Sequence, residues 1–298
     1  MRPPSVLVAL ALVAALGVNA ASAQAGLGAQ DTEGEPRRLQ QWHVPSADPA
    51  ATARAVLFRP LGEGPFPLAV IAHATTQNVL RRAQMPQPEY RALAAWLVGR
   101  GFAVLVPERP GHGGGGNYFE DQGGCDEADY ARAGRVTADE IAAAVGFLRQ
   151  QSFIRPGGAV VIGHSAGAWG ALALAGDDRN NVAAVIAFAP GRGGHANDLP
   201  GKVCAPHTLI SAAGEFGKGA RAKVTWLVAA NDSYFPPAFS RQLADAFRAG
   251  GGKVDFHVLP AHGSEGHWLA ETVSGVALAG TELDRALKAR SAAAGKKR

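Results

Sequence analysis

Short runs of apolar residues alternate with longer helix-like patterns along most of the chain. The apolar runs consist mainly of Val, Ile, Leu and Ala, and they are nearly continuous rather than alternating with polar residues. Continuous runs of this kind are typical of parallel strands that are covered by helices on both faces. The predicted strands are 53–59, 67–73, 102–108, 158–164, 183–189, 224–230 and 253–260. Because a turn rich in Gly and Pro separates the first two, they are predicted to be antiparallel neighbours.

Helical spacing and helix-end signals occupy several of the intervening segments. The first such segment ends on Gly101, which is typical of a helix C-cap. The second opens with Thr137 and Glu140, the spacing of a capping box. The third begins with proline and is followed by glycine, the usual asymmetry of helix ends. We predict helices over 89–101, 137–151, 236–251 and 267–289.

The N-terminal residues differ from the rest of the chain. A positive charge, an apolar run over 6–18 and an A-x-A site at 21–23 are the parts of a secretory signal peptide. An uncleaved membrane anchor is the alternative, but this run is shorter than the roughly 20 residues of a membrane helix. We predict a signal peptide over 1–23 and a single α/β domain over 24–298, of which 288–298 form a frayed tail. The domain is expected to contain a mostly parallel central sheet with helices on both faces.

Composition and charge exclude two classes of partner. The formal net charge is +4, which becomes +3 when the single arginine of the signal peptide is removed. Basic residues do not cluster with aromatic residues, so the sequence does not indicate nucleic-acid binding. No later apolar run is long enough to span a bilayer, so we expect no stable membrane insertion after cleavage. The chain is predicted to be secreted or periplasmic, and its oligomeric state is left open.

Two cysteines remain after the predicted cleavage, Cys125 and Cys204, and both lie in polar, turn-rich segments. In an oxidising compartment an even number of cysteines favours a disulfide, with two unpaired thiols as the alternative. Closing a loop of roughly 80 residues would stabilise the fold by about 4 kcal/mol in the chain-entropy model. Neither cysteine has the spacing of a zinc or redox motif, and we predict no metal and no cofactor.

Ser165 is the first candidate for chemistry. It lies between glycines in GHSAG, directly after the apolar run 158–164 and before a helix-like segment. A strand, a tight turn and a helix in this order are typical of a nucleophile elbow, in which the helix N-terminus favours developing negative charge. An ordinary strand–turn–helix with a surface serine is the alternative. To act as a nucleophile, a serine hydroxyl needs a base and a group that orients the base. The presence or absence of such partners therefore distinguishes the two alternatives for Ser165.

Candidate partners follow two later strands, in the order Ser, Asp, His. Asp232 comes just after the run 224–230, and His267 follows the run 253–260. The carboxyl ends of parallel strands share one edge of the sheet, where ligands bind in such folds. This order predicts Asp232 as the orienting group and His267 as the base. The alternative for Asp232 is a residue that only precedes a helix.

Other residues of the same types compete with these two. His262 is the alternative to His267, but it lies closer to the end of its strand, with less of the return loop behind it. Asp245 and Asp255 are weaker alternatives to Asp232, because they fall inside a predicted helix and a predicted strand. A metal shared by the two histidines is not expected, because no carboxylate or cysteine cluster completes the set.

Oxyanion donors and a substrate pocket are expected near Ser165. One donor would be the backbone N–H of Ala166, and the other the N–H of Thr75, with Ala74 as the alternative. Aromatic residues beside the three candidates would form an apolar acyl pocket, although aromatics in such places are equally often part of the core. The expected pocket residues are Tyr118, Trp169, Tyr234, Phe235 and Trp268.

A glycine-rich segment over 108–124 follows the third predicted strand. It lacks the phosphate-binding pattern, and we interpret it as a flexible loop over the active site, with a disordered surface loop as the alternative. Glu108 and Arg109 would either bind a polar substrate group or pair with each other. His112 is expected to be a solvated loop residue.

The motifs as a set resemble those of α/β-hydrolases, and in particular a dienelactone-hydrolase-like group of secreted bacterial members. The matching stretches extend over about 53–275 and include VIAHATTQN, LVPERPGHGGGGNYFED, VVIGHSAGAWGALALA, VIAFAPGRGG, WLVAANDSYFPP and LPAHGSEGHWL. The resemblance implies Ser165 as nucleophile, Asp232 as orienting group and His267 as base. It also implies a small lid. True dienelactone hydrolases have a cysteine nucleophile, and this chain departs from them by having serine there.

These expectations combine into one function and two alternatives. The expected function is hydrolysis of small-molecule carboxylic esters through an acyl-enzyme formed on Ser165. A peptidase on short peptides would use the same three side chains. A binding protein that keeps the fold without the chemistry is the second alternative, because a fold alone does not prove a function.

Overall fold

The computed structural model describes residues 26–176 and 182–295, and the predicted signal peptide over 1–23 lies outside this part of the chain. Within it, nine strands form one sheet. They are β1 (Gly28–Ala29), β2 (Gln40–Pro45), β3 (Thr52–Phe58), β4 (Leu68–Ala72), β5 (Ala103–Pro107), β6 (Ala159–His164), β7 (Val182–Phe188), β8 (Lys223–Ala229) and β9 (Val254–Leu259).

Helices connect the strands from β4 onward. The α-helices of the described residues are α1 (Val79–Ala83), α2 (Arg91–Val98), α3 (Tyr130–Leu148), α4 (Ala166–Leu174), α5 (Pro206–Gly219), α6 (Pro237–Ala249) and α7 (Val273–Gly295). Two 3-10 turns cover Ala196–Asp198 and Gly266–Glu271. No helix among the described residues is long and apolar enough to cross a membrane.

The strands lie in the order β1-β2-β3-β5-β4-β6-β7-β8-β9. The pairs among β1, β2, β3 and β5 are antiparallel, and every pair from β5 onward through β4 and β6 to β9 is parallel. Because β4 to β9 all run in one direction, their carboxyl ends lie along a single edge of the sheet. The loops that leave this edge carry the candidate site.

Helices cover the sheet on both faces, which explains why its strands are continuously apolar. On one face, Ile141 of α3, Trp169 of α4 and Phe247 of α6 pack in one buried cluster with side chains of the strands. On the other face, Leu97 of α2 and Leu283 of α7 belong to a second cluster. The mostly parallel sheet between two helical layers confirms the predicted fold class.

The predicted strands agree with the observed strands to within about a residue at most ends, but their pairing and number differ. The antiparallel pairing predicted for the first two, now β3 and β4, is wrong, because β5 lies between them. The strand β2 was not predicted. It alternates buried and half-buried residues, since one of its faces is less covered, and its sequence QQWHVP has too few apolar residues to stand out.

Two predicted helices begin elsewhere. The capping box at Thr137 and Glu140 is wrong: α3 begins seven residues earlier with Asp129 as its N-cap, and Thr137 is buried within the helix. Glu140 instead accepts hydrogen bonds from the Ser46 hydroxyl and the Ala47 N–H, at 3.0 and 3.1 Å. The helix predicted over 267–289 is divided into a 3-10 turn and α7, and α7 continues to Gly295 where a frayed tail was expected.

A disulfide joins Cys125, in the loop before α3, to Cys204, in the loop between β7 and α5. The two residues are 79 positions apart in sequence. The loop that contains Cys204 is long and includes only the short 3-10 turn before α5 begins. Two long loops beside the candidate site are therefore covalently connected.

Candidate active site

Ser165 lies at the junction between β6 and α4 in a strained backbone conformation. Its φ of 54° and ψ of −118° fall in a region that non-glycine residues rarely adopt. The neighbouring glycines allow the chain to turn back so sharply. A Cβ at Gly163 would lie 2.3 Å from Ala168 Cα, and a Cβ at Gly167 would lie 2.2 Å from the carbonyl oxygen of Ala72. The strand, turn and helix hold the serine at the carboxyl edge of the sheet.

His267 and Asp232 form a buried hydrogen-bonded pair at the same edge. The Nδ1 atom of His267 lies 3.1 Å from Oδ2 of Asp232. The other carboxylate oxygen, Oδ1, accepts the backbone N–H groups of Tyr234 and Phe235, both at 2.9 Å. Asp232 is therefore fixed by its own loop, and it holds the imidazole with Nδ1 as donor, which leaves Nε2 free to accept a proton.

The turn that carries His267 is supported by Glu265, for which the sequence predicted no role, and by Tyr234, which was expected only as a pocket residue. Glu265 Oε1 accepts the N–H of His267 at 3.0 Å and the N–H of Ser233 at 3.1 Å. The ring of Tyr234 stacks on the imidazole of His267, with 4.2 Å between ring centroids. These contacts restrict both the backbone and the ring plane of the histidine.

Burial lowers the pKa of His267 below its ordinary value of 6.5, and the bond to Asp232 opposes this effect. A neutral imidazole at physiological pH is the form that can act as a base. The environment of His267 therefore favours the protonation state that hydrolysis requires.

Ser165 and His267 line one cavity of about 260 Å³. Most of the other lining residues are glycines or polar residues, and Phe235 is the one large purely apolar side chain among them. The lining residues are Thr75, Thr76, Gln77, Asn78, Arg81, Ser165, Ala166, Gly191, Arg192, Gly193, Gly194, His195, Asp198, Tyr234, Phe235 and His267. None of the hydrogen bonds among the described residues joins the Ser165 hydroxyl to His267. Such bonds are often long without substrate and shorten when substrate binds.

The loop after β4 presents Thr75 to this cavity. The N–H of Ala74, the alternative oxyanion donor, already donates to the hydroxyl of Tyr90 at 3.1 Å. No described residue accepts the N–H of Thr75. Ala166 is the first residue of α4, so its N–H has no partner within the helix. The N–H groups of Thr75 and Ala166 are thus both available at the cavity.

The expected pocket residues are only partly at the cavity. Tyr234 and Phe235 line it. Trp169 does not: it is fully buried against α3, where its indole N–H donates to the carbonyl of Tyr130 at 2.8 Å. One helical turn beyond Ser165, its side chain lies on the core-facing side of α4.

Two other expected aromatics lie outside the lining set. Tyr118 is behind the cavity wall, where the guanidinium of Arg82 lies 3.6 Å from the centre of its ring. Trp268 is 39% exposed and contacts the rings of Tyr234 and His267 from outside.

One residue that lines the cavity, Arg192, belongs to a buried ion cluster. Glu120 lies between Arg109 and Arg192, and all three side chains are at least nine-tenths buried. Arg192 Nη2 donates to Glu120 Oε2 at 2.6 Å and to the Thr137 hydroxyl at 2.7 Å. Burial alone would raise the pKa of Glu120, but the two guanidinium groups lower it to about 2. The carboxylate of Glu120 therefore stays ionised at physiological pH.

The loop over 108–124 is packed in part: Arg109, His112 and Glu120 are buried, whereas residues 114–117 and Phe119 are exposed. Glu108 and Arg109 neither pair with each other nor line the cavity, since Glu108 pairs with Arg54 at 2.7 Å and Arg109 pairs with Glu120. His112 is not solvated. It is buried, it contacts the Thr75 hydroxyl at 2.6 Å, and burial lowers its pKa to about 4.

The alternatives to the acidic and basic candidates lie away from the cavity. The Nε2 atom of His262 contacts the hydroxyl of Thr272 at 2.8 Å. Asp245 pairs with Arg248 on the surface of α6, and Asp255 lies near Lys223 at 3.5 Å. The described residues contain no group of three or more His, Cys, Asp or Glu side chains placed to hold a metal ion.

The comparisons with known proteins agree on the fold. The family model described as "Prolyl oligopeptidase family" matches residues 88–191, which include the elbow. No curated protein matches this sequence. Among solved structures, a cold-adapted esterase from an Arctic intertidal metagenomic library is 18% identical, with a TM-score of 0.55, over 84% of this chain and 98% of that one.

Two further solved structures share the architecture. A candidate dienelactone hydrolase from Klebsiella pneumoniae is 14% identical, with a TM-score of 0.50, over 78% of this chain and 89% of that one. The acylaminoacyl peptidase of Pyrococcus horikoshii is 14% identical, with a TM-score of 0.55, over 80% of this chain but only 40% of that one. At these identities the likeness is one of fold, and this chain has the α/β-hydrolase fold.

Proposed function

We propose that the protein is a serine hydrolase that cleaves carboxylic esters with Ser165, His267 and Asp232. The observation that carries the proposal is the strained backbone of Ser165 at the mouth of a cavity that it shares with a histidine oriented by a buried aspartate. Such a constellation of nucleophile, base and orienting group is recognised by geometry and role. The resemblance to α/β-hydrolases in sequence and fold supports it.

The proposed reaction has two halves. The Ser165 oxygen attacks the carbonyl carbon while His267 Nε2 takes the hydroxyl proton, and Asp232 stabilises the imidazolium that forms. The N–H groups of Ala166 and Thr75 bind the oxyanion of the tetrahedral intermediate. The alcohol leaves with the proton from His267, and an acyl group remains on the serine oxygen. Water then gives its proton to the same imidazole, attacks the acyl carbon, and releases the acid.

The cavity favours a small, polar ester. At about 260 Å³ it is smaller than a typical pocket for a drug-sized ligand. Gly191, Gly193 and Gly194 leave room beside Phe235, which is suited to a short acyl chain. Gln77 and Asn78 also line the cavity, and their amide side chains are suited to hydrogen-bond a polar alcohol. We therefore propose short acyl esters of polar alcohols as the substrate class.

A fluorophosphonate probe and a chromogenic ester test the proposal together. The purified protein should be labelled at Ser165 and should hydrolyse p-nitrophenyl acetate faster than p-nitrophenyl octanoate. Ser165→Ala should abolish labelling and reduce kcat about 10⁴-fold or more. Ser152→Ala, which removes an exposed serine elsewhere, is the matched control and should behave as the wild type. A folded wild-type protein that is neither labelled nor active would contradict the proposal and favour a binding protein.

A peptidase on short peptides is the second candidate, supported by the match of residues 88–191 to the prolyl oligopeptidase family. The same side chains would cleave an amide by the same steps. Aminoacyl anilides assayed beside p-nitrophenyl esters separate the two functions. A higher kcat/KM for anilides than for esters would replace the first candidate by the second.

We also propose that the protein acts outside the cytoplasm, in the periplasm or the medium. The disulfide between Cys125 and Cys204 supports this location, because disulfides persist in oxidising compartments. The signal-like sequence of the first 23 residues supports it as well. Fractionation of cells followed by N-terminal sequencing would test it, with cleavage after Ala23 as the expected result.

A further inference from the structure

Three segments that carry the candidate site meet at one buried chain of hydrogen bonds. The N–H of Ala74, in the loop before Thr75, donates to the Tyr90 hydroxyl at 3.1 Å. The same hydroxyl lies 2.9 Å from Nδ1 of His164, the residue before the nucleophile. The Nε2 atom of His164 lies 2.8 Å from the carbonyl oxygen of His267. The steps proposed above use neither Tyr90 nor the His164 side chain.

The chemistry of these groups fixes the direction of two of the three bonds. A carbonyl oxygen only accepts, so the Nε2 atom of His164 carries a hydrogen and donates to His267. The phenol oxygen accepts the N–H of Ala74. The hydrogen of the phenol faces two groups, His164 Nδ1 at 2.9 Å and Glu271 Oε1 at 3.4 Å, and these two groups lie 3.3 Å from each other.

Hydrogen bonds among the described residues occupy several polar groups of the loop around Thr75, but not the Thr75 N–H. The Ala74 N–H is occupied by Tyr90, and the Ala74 carbonyl oxygen accepts from Nδ1 of His73 at 2.6 Å. The Thr75 hydroxyl contacts His112 Nε2 at 2.6 Å. The Thr75 N–H is the group that remains free to meet a developing oxyanion. Its direction is set by the orientation of the preceding residue, which Tyr90 holds.

Tyr90 itself is held in an unusual conformation. It is the N-cap residue of α2 with a φ of 46°, in the left-handed region that large side chains rarely adopt. Strain of this kind persists only where the surroundings over-determine it, and it is concentrated at functional sites. The side chain is buried, and burial together with Glu271 keeps the pKa of its hydroxyl well above the ordinary value, so it stays a neutral donor.

We propose that Tyr90 is a positioning residue of the oxyanion hole: its hydroxyl joins the Ala74 N–H to His164 and thereby aims the Thr75 N–H at the reacting carbonyl. The inference rests on the proposed hydrolase function. It predicts that Tyr90 contributes to the transition state and not to substrate binding, because the Thr75 N–H meets full negative charge only after attack.

Tyr90→Phe tests the proposal, because it removes the hydroxyl and keeps the ring. We expect kcat to fall about 10-fold with KM changed less than about twofold, since the donor is misaimed and not removed. A trifluoromethyl ketone, whose adduct with the serine places an oxyanion in the same hole, should lose affinity by the same factor as kcat. The acidic limb of the pH profile should stay in place, because the base is untouched.

Tyr130→Phe is the matched control. Tyr130 is another buried tyrosine, and its hydroxyl donates to the carbonyl of Cys204. The Tyr130→Phe substitution should lower the unfolding temperature without changing kcat or the affinity for the ketone. Should Tyr90→Phe fail to fold, 3-fluorotyrosine at position 90 keeps the hydroxyl but makes it a weaker acceptor, and a smaller parallel loss of kcat and ketone affinity is expected.

The outcomes separate this inference from the proposed function. Tyr90→Phe with wild-type kcat and ketone affinity would overturn the positioning role while leaving the hydrolase intact. A shifted acidic limb with unchanged ketone affinity would also overturn it, because the hydroxyl would then act on the base. Absence of labelling at Ser165 in the wild type would contradict the hydrolase itself.

Discussion

Two buried carboxylates each contact a residue that lines the cavity, but their surroundings differ. Asp232 accepts two backbone N–H groups and one imidazole, a partner that can gain and lose a proton. Glu120 lies between Arg109 and Arg192, whose charges are permanent. A buried carboxylate beside a titratable group can follow a proton transfer, whereas one between two guanidinium groups can only hold them in place. The comparison therefore contrasts a carboxylate with a proposed catalytic role and a carboxylate with a structural one.

The largest expected effect is that of Asp232→Asn on activity. The amide keeps an oxygen for the N–H groups of Tyr234 and Phe235 but no longer favours the imidazole tautomer with a hydrogen on Nδ1. We expect kcat to fall about 10⁴-fold, as occurs when the aspartate of a Ser-His-Asp triad is replaced by asparagine. Steady-state kinetics with p-nitrophenyl acetate would measure the loss, and urea unfolding should show a change in stability of about 1 kcal/mol or less. A loss of kcat below about tenfold would contradict the orienting role.

Glu120→Gln should have the opposite effect, a loss of stability with little change in kcat. It leaves two buried guanidinium groups without a carboxylate, and breaking a buried pair in this way costs about 3–5 kcal/mol. Urea unfolding measures the cost, and kcat per folded molecule should stay near the wild-type value. Glu108→Gln is the matched control, because its partner Arg54 is half exposed and the expected cost is below about 1 kcal/mol. Equal costs for the two variants would refute the comparison.

Glu120 should also make the stability of the protein depend on pH in the acidic range. Because the folded pKa of Glu120 is about 2 and the ordinary value is 4.5, the stabilisation is complete above pH 4.5 and is lost as the pH falls toward 2. Stability measured across that window should fall less steeply in Glu120→Gln than in the wild type. Identical slopes would mean that Glu120 does not titrate with folding.

Removing the disulfide should have an intermediate effect on the stability of the protein. Cys125→Ser with Cys204→Ser releases the covalent connection between two loops, and we expect a loss of about 2–4 kcal/mol. Thermal unfolding with and without reductant measures it, and reductant should no longer change the double variant. An unchanged midpoint in the double variant would show that the two loops are held by the ion cluster alone.

The smallest effect concerns the pH dependence of activity. Burial lowers the pKa of His267, so the acidic limb of kcat/KM should lie below pH 6.5 in the wild type. Asp232→Asn should retain a small residual activity, and its acidic limb should lie at lower pH than that of the wild type. The reason is that the interaction with Asp232, which raises the pKa of His267, is lost. Glu120→Gln should leave the limb where it is. A limb above pH 6.5 in the wild type would contradict the assigned base.

The sequence predicted the elements that depend on local patterns. The candidates Ser165, Asp232 and His267 each follow an apolar strand, so their common edge could be inferred from the order of elements alone. The position of Trp169 could not be inferred from the sequence, because a helix of small apolar residues does not indicate which of its faces packs against the core. The start of α3 was missed although Asp129 caps it, because Thr137 and Glu140 have the spacing of a capping box but lie inside the helix.

The ion cluster and the hydrogen-bond chain could not be predicted from the sequence either. Glu120 and Arg192 are 72 positions apart, and charged loop residues are normally in solvent. His164 lies between Gly163 and Ser165 in GHSAG, and its polar side chain after a run of apolar residues was the one available signal. Its partners Tyr90 and His267 come from different loops, so only the folded arrangement connects them.

The place of each strand in the sheet also has a kinetic consequence. β6, which carries the proposed nucleophile, has neighbours on both sides, whereas β9, which leads to His267, is an edge strand that pairs with β8 alone among the described residues. Edge elements open locally at lower free energy than central ones. On gentle heating, hydrolysis should therefore cease by fraying of β9 before the middle of the sheet exchanges its amide hydrogens, so that inactivation reports on one strand and not on the whole domain.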